Sequence, residues 1–285
     1  MQLDDITLGS FSSVAEMIDL EKKMLPFGPY VSVQSWAFRG QPRPFGTLAP
    51  SFQRQFSRQS FGAAEIIEHR LIDAFREHYK KLDDINRYMP SPARIQQGFD
   101  LRCLSVMQHY EIPTRLLDWS SNFWTSVYFA CASDTGENAE FWFYHRSIFD
   151  NQRMANPMLN NLLDASENVA QEPILLNQVE LLKLFELDPR ITPRMKEQFA
   201  HHTVSTNVFS DHAPLLHELM QQAPAVPPGE LPLFGRFIID AACKGKALQF
   251  LEVEKNITAS TIFPDVVGLG RFLRWQFETL RTMLL

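Results

Sequence analysis

The stretch LRCLSVMQHYEIPTRLLDWSSNFWTSVYFAC, residues 101–131, decides how this chain is read. Leu101 to His109 reads as a helix, halted ahead of Pro113, whose ring disfavours helical geometry at Ile112. Thr114 to Leu117 is then a short extended segment. Ser120 or Ser121 is a good N-cap for a second helix, in which Phe123, Trp124, Val127, Tyr128 and Cys131 form one apolar face. Asp118 and Ser120 therefore converge on a helix N-terminus. Arg115 sits inside apolar sequence, where a guanidinium needs hydrogen-bond acceptors.

Working outward, Val31, Val33 and Ser35 alternate with polar positions before Trp36-Ala37-Phe38, which predicts a strand ending at an Arg39-Gly40 turn. Pro42, Pro44, Gly46 and Pro50 mark a loop. Glu65 to Tyr79 carries Ile66, Ile67, Leu71 and Phe75 at helical spacing, an amphipathic helix. Downstream, Glu140 to Tyr144 and Arg236 to Asp240 read as buried strands. A helix follows from about Ala241 to Lys255, and a last one runs from about Val266 to Leu280. Ala223 to Pro232 is a proline-rich loop. Helices and strands are interspersed without βαβ alternation, which predicts an α+β fold: one compact domain over residues 1–285, a mixed sheet core with surrounding helices, and a helical extension over residues 1–30.

Composition narrows the function. With 45% hydrophobic residues and 23 phenylalanines among 285, the chain can bury a large core. A net charge of −6 disfavours a general grip on nucleic acid. Cys103, Cys131 and Cys243 lie far apart in apolar contexts, so neither a disulfide framework nor a zinc site is indicated, and a cytoplasmic protein is expected. The N-terminus lacks a leader pattern and no stretch suits a membrane span. His201 and His202 are neighbours on a strand, point to opposite faces and are poorly placed to share an ion, so no metal is expected. Glycine-rich nucleotide loops and HExxH are missing.

Two constellations remain. Arg39 either pairs with a core carboxylate such as Asp118, or takes a phosphate or carboxylate while Gly40 lets a ligand approach the backbone. In the block from Gln108 to Ser120, one reading is a buried polar network in which Arg115 pairs with Asp118 and Trp119 fills the core. The other is an anion-tolerant pocket lined by Asp118, Ser120 and helix N–H groups, with Trp119 or Tyr128 stacking on a base.

These residues resemble the FRG domain, a bacterial and phage-associated module named for its Phe-Arg-Gly motif. Trp36 to Gln41 matches its opening, and Leu48-Ala49-Pro50-Ser51-Phe52, with Arg54, matches the next element. Gln108 to Trp119 matches its most specific block, and Tyr128-Phe129-Ala130 follows in order. Arg194, Gln198, Ala200 and Thr203, then Ile262 to Leu269, are similar to its later blocks. Glu111 and Ala200 stand where the family has glycine, which implies ordinary backbone angles or a shifted alignment. The layout is similar to ADP-ribosyltransferase-type folds. That resemblance implies NAD as substrate, with Arg39, Ser120 and Gln198 as catalytic residues and Gly40, Gln41, Arg115, Trp119 and Tyr128 around the dinucleotide. It implies an effector of a bacterial or phage defence or toxin system, with a nucleic-acid or protein acceptor and a cognate neutralising or phage protein as partner. The alternative is a non-catalytic sensor or adaptor that binds a nucleotide or a phage component.

Overall fold

Residues 139–145, Ala-Glu-Phe-Trp-Phe-Tyr-His, are buried on both faces of their strand almost throughout, so the sheet that holds them has to be covered on both sides. The computed structural model has that architecture, and it describes residues 3–25, 35–55, 61–79, 101–133, 136–155, 184–187, 192–227, 229–264, 270–273 and 277. Seven strands form one sheet: β1 (Thr7–Phe11), β2 (Trp36–Gln41), β3 (Leu116–Ser120), β4 (Ala139–His145), β5 (Leu184–Leu187), β6 (Ala200–Ser205) and β7 (Phe234–Ile239). Their order is β1-β7-β4-β2-β3-β6-β5, antiparallel throughout except for the β1–β7 edge. The α+β class expected from the sequence is the class observed.

The helices among the described residues are α1 (Val14–Met24), α2 (Phe61–His78), α3 (Leu101–His109), α4 (Phe123–Cys131), α5 (Asp150–Ala155), α6 (Pro193–Glu197), α7 (His212–Gln222), α8 (Ala241–Glu254) and α9 (Ala259–Ile262). On one face, Phe38, Phe141, Phe143 and Ile239 pack with Met17 and Leu20 of α1, Phe123 and Val127 of α4, and Ala247 and Leu251 of α8. On the other, Ala37, Leu117, Trp119, Trp142 and Tyr144 pack with Ala213 and Leu216 of α7 and with Ile148 and Phe149. Among the described residues no helix is long and apolar enough to cross a membrane.

Several expectations need correction. The N-terminal residues are not a purely helical extension, because Thr7–Phe11 pairs with β7 as an edge strand. Strand β2 does not end in a turn at Arg39-Gly40; it continues to Gln41, in register with β4 from Trp36↔His145 to Gln41↔Glu140. Val31 and Val33 lie outside the described residues. Helix α4 is capped by Asn122, whose Oδ1 accepts from the Thr125 N–H at 3.0 Å, while Ser120 is the last residue of β3. In α2 the buried positions include Ala64, Glu68 and Ile72, and Ile66 and Ile67 are exposed. The helix is turned by its carboxylate: Glu68 faces inward to Arg115. Of the expected last helix, residues 270–273 and 277 are helical, and the rest lies outside the described residues.

Two glycine-type positions carry further information. A Cβ on Gly40 would lie 2.0 Å from the Ser126 carbonyl oxygen and 2.4 Å from the Ala130 nitrogen, both backbone atoms of α4. The residue is glycine because a helix lies on it, so it cannot be the approach point of a ligand. Glu111, expected to have ordinary angles, has φ 63° and keeps the left-handed conformation that glycine would adopt freely; Ala200 is ordinary strand, and the left-handed residue there is Phe199 at φ 49°.

Candidate functional site

The centre of the sheet is where the chain opens. Strand β2 is laddered along its length to β4, yet its ladder with β3 is a single pair, Phe38 opposite Ser120. Beyond that pair the two strands part. The loop after β2 crosses the gap, with the Phe52 N–H donating to the Thr114 carbonyl at 3.1 Å. Into the gap reaches Arg39: its Nη1 donates to the main-chain carbonyl of Asp118 at 2.6 Å, a group that a continued ladder would have used. Its Nε is buried with no hydrogen-bond partner.

Side chains alternate across each strand, so Asp118 faces away from its neighbours Leu117 and Trp119, which belong to the α7-side core. On β6, His202 stands opposite Asp118 in register, and its Nδ1 lies 2.9 Å from Oδ1. Gln108, at the end of α3, donates from Nε2 to Oδ2 at 2.9 Å. The amide is held in that sense by Thr114, whose hydroxyl donates to Gln108 Oε1 at 2.6 Å while accepting from the Leu116 N–H. Burial pushes the Asp118 carboxyl up, but the His202 hydrogen bond and charge, Arg39 and Gln108 together hold it below its ordinary value. It is ionised at neutral pH, and its side chain remains 49% exposed.

Arg39 does not stand alone. Burial lowers its guanidinium to about 10, Asp118 opposes that shift, and the charge of Arg54 adds to it. Arg54 is in turn lowered by burial and by Arg43, against the pull of Asp118. Arg43 and Arg54 both rest on the Phe45 ring, 4.7 and 5.8 Å from its centroid, and Arg54 Nη1 donates to the Ala49 carbonyl at 3.0 Å. Two guanidiniums, Arg39 and Arg54, thus act on one carboxylate that already has His202 and Gln108 as partners, and Arg43 stands beside Arg54. Such a cluster attracts an anion.

The remaining expected site residues go elsewhere. Arg115 does not pair with Asp118; its Nε donates to Glu68 at 2.8 Å, Nη2 also bonds that carboxylate, and Nη1 donates to the Thr206 carbonyl at 2.8 Å. It is a buried structural arginine with no donor left to clamp a dinucleotide. Trp119 is core, its Nε1 donating to Thr203 Oγ1 at 2.9 Å and its ring packed edge-on against Tyr144, so it offers no face for stacking. Gln41 is buried, bonded to Glu140 and to the Thr47 carbonyl. Ser120 Oγ donates to the Gln198 carbonyl at 2.6 Å and accepts from the Asn122 N–H, which ties β3 to the α6–β6 corner. Gln198 itself donates to the Ile262 carbonyl at 3.2 Å. Ser120 and Gln198 are neighbours, but through backbone. Tyr128 lines a separate cavity with Phe129, Arg194, Phe263 and Arg271.

Sequence reading does not single out Arg43 or His212, and weighs His202 only as a metal ligand. His212 caps the arrangement from α7: Nδ1 lies 2.8 Å from Thr203 Oγ1, and burial, with Arg39 nearby, lowers its pKa to about 3. Arg54 had a signal in its place after the Leu-x-Pro-Ser element. The strand register that sets His202 opposite Asp118 has no local signature.

Fold and site together are those of an α+β protein whose central sheet parts between two strands around a half-buried arginine and an ionised aspartate. Residues 34–139, from just before β2 through α3, β3 and α4 to the start of β4, match the FRG domain. No curated protein and no solved structure matches the chain.

Proposed function

We propose that the gap between β2 and β3 binds the pyrophosphate of NAD and that the protein transfers ADP-ribose to a nucleic-acid or protein acceptor, as an effector of a bacterial or phage defence or toxin system. The observation that carries this reading is the buried, unpartnered Nε of Arg39 beside Arg54 and Arg43. A planar fork with a free edge in a desolvated gap suits a phosphate oxygen. Arg39 and Arg54 hold the two phosphates, and Arg43, braced on Phe45, closes over them.

The chemistry needs positioning and charge. As the bond from the ribose C1′ to the nicotinamide nitrogen breaks, the electron pair leaves with nicotinamide and positive charge develops on the ribose. Asp118, ionised and oriented by His202 and Gln108, stabilises that charge. The acceptor then forms its bond to C1′ and gives up a proton, for which the Asp118 carboxylate, backed by His202, is the nearby base. In this assignment Arg39 keeps its role, Asp118 takes the one first given to Gln198, and Ser120 and Gln198 shape the corner behind the site.

A second reading is supported by the same geometry. Ser120, Gln198, Arg115 and Trp119 are all engaged in holding the fold, and an anion clamp with little else is what a nucleotide-binding sensor or adaptor requires. Nicotinamide release separates the two. The full chain is incubated with labelled NAD and acceptor-containing lysate, and NAD binding is measured by calorimetry. Transfer predicts labelling by wild type, loss of binding in Arg39→Ala, and retained binding without turnover in Asp118→Asn. Binding without nicotinamide release favours the sensor, and binding equal in wild type and Arg39→Ala overturns the site.

A further inference from the structure

The cavity that takes Tyr128 is built for a ligand of its own. It measures about 660 Å³, within the range of sites that bury small molecules, and lies against α4, α6, α8 and α9. The carboxylates of Glu111 and Glu252, opposite in charge to Arg194 and Arg271, line it, and its apolar walls are Tyr128, Phe129, Leu248, Ile257, Phe263 and Phe272. Four of those six are aromatic. Two arginines enter it flat on one ring: the Arg194 and Arg271 guanidinium carbons are 4.2 and 4.6 Å from the Phe263 centroid. Stacking on a ring leaves the N–H edges of a guanidinium directed sideways, where an in-plane acceptor meets them.

The two cations differ. Arg194 is tied to the fold, with Nη1 donating to the His109 carbonyl at 3.3 Å. Arg271 stands at the rim, its side chain 48% exposed, and its partner Glu111 is 3.7 Å away and 71% exposed. An exposed pair beyond hydrogen-bond distance contributes little, so Arg271 can exchange Glu111 for an arriving anion at small cost. Burial raises the Tyr128 hydroxyl above its usual value although Arg271 pulls it down, so the phenol stays protonated and can donate to a ring nitrogen or carbonyl. Aromatic faces, an arginine plane, one hydroxyl and a movable cation at the rim are the parts that recognise a base carrying a phosphate.

We propose that this cavity is a nucleoside monophosphate site, with the base held between Phe129 and Phe272 against the Arg194 guanidinium plane and the phosphate held at the rim by Arg271. The proposal is independent of the NAD reading, because it uses none of the residues in the β2–β3 gap. The same unit occurs free or within a single strand. With a net charge of −6 on the chain, the free nucleotide is the ligand assigned.

AMP and a hexaadenylate are the probes, titrated against the full chain with hydrogen exchange as a local readout. Arg271→Glu reverses the rim charge, and Ala132→Trp, at an exposed position on the cavity wall, fills its mouth without entering the core. Both variants are expected to weaken AMP at least about tenfold, a change that removal of a stacked base or a phosphate contact produces. AMP should protect peptides spanning residues 128–133 and 248–263. A hexamer binding no tighter than AMP supports the free nucleotide; a tighter hexamer with the same sensitivity to both variants supports the site with a strand as its source. Wild-type affinity in both variants, or protection confined to residues 39–54, overturns the proposal.

Discussion

Replacing Gly40 with alanine separates packing from ligand approach. The added Cβ would lie 2.0 Å from the Ser126 carbonyl oxygen and 2.4 Å from the Ala130 nitrogen, and neither backbone atom can rotate away as a side chain would. Helix α4 has to retreat by roughly 1 Å to restore an ordinary contact. It is held from both sides, however, packed on Phe38 and Phe141 of the sheet and on α8. Overpacking costs about 1–3 kcal/mol, and a clash with backbone on both ends of the contact belongs near 3 kcal/mol. At roughly 2–4 °C per kcal/mol, the thermal midpoint falls by about 6–12 °C. Urea and thermal unfolding followed by circular dichroism, alongside NAD calorimetry on the folded fraction, measure both quantities. A midpoint within about 2 °C of wild type together with lost NAD binding would refute the packing argument and return Gly40 to the ligand.

Other perturbations test the rest of the framework. Glu68→Gln leaves the Arg115 charge buried without its counterion and should cost about 3–5 kcal/mol in urea unfolding, whereas Glu68→Met with Arg115→Met together should recover most of it; a single-variant loss below about 1 kcal/mol would count against the pair. His212 is neutral in the folded chain down to about pH 3, while its unfolded counterpart takes up a proton near 6.5. Its contribution to stability is therefore complete above pH 6.5 and is lost as pH falls toward 3, at about 1.4 kcal/mol per pH unit. In His212→Gln this part of the slope disappears, and equal slopes in both proteins would remove His212 from the account.

What the sequence disclosed follows the range of the interactions. Strands β4 and β7 and helices α3 and α8 were legible because runs such as Phe141-Trp142-Phe143-Tyr144 and the proline at 113 act within a few residues. The partners of the arginines were not. Arg115 sits three residues from Asp118 in sequence but bonds Glu68, 47 residues away, because Asp118 faces the other side of its strand from Leu117 and Trp119. The inward face of α2 was misread for the same reason: a buried carboxylate at Glu68 outweighs the exposed Ile66 and Ile67. Arg39 and Asp118 stand out in the sequence as motif residues, but their meeting place does not. A gap between strands is a property of register, and a ladder reduced to Phe38↔Ser120 has no local pattern. The Ser120 hydroxyl, which the resemblance makes a reagent, joins β3 to the α6–β6 corner, and the Gln198 amide joins that corner to α9.

The parallel edge β1–β7 has a temporal consequence. Thr7 pairs with Arg236, so β1 leaves the ribosome long before its partner strand is made. At about 5–20 residues per second, residues 7–11 wait roughly 10–45 s for β7 to be made. Arg236 then ties β1 and β7 to β4 at once, its Nε donating to Thr7 Oγ1 at 2.8 Å and its Nη1 to the buried Glu140. Until that bond closes, β4 is an open edge whose Glu140 carboxylate lacks its arginine counterion. A chain truncated before Phe234 should therefore be held by chaperones or lost to aggregation, while one ending after α8 escapes both.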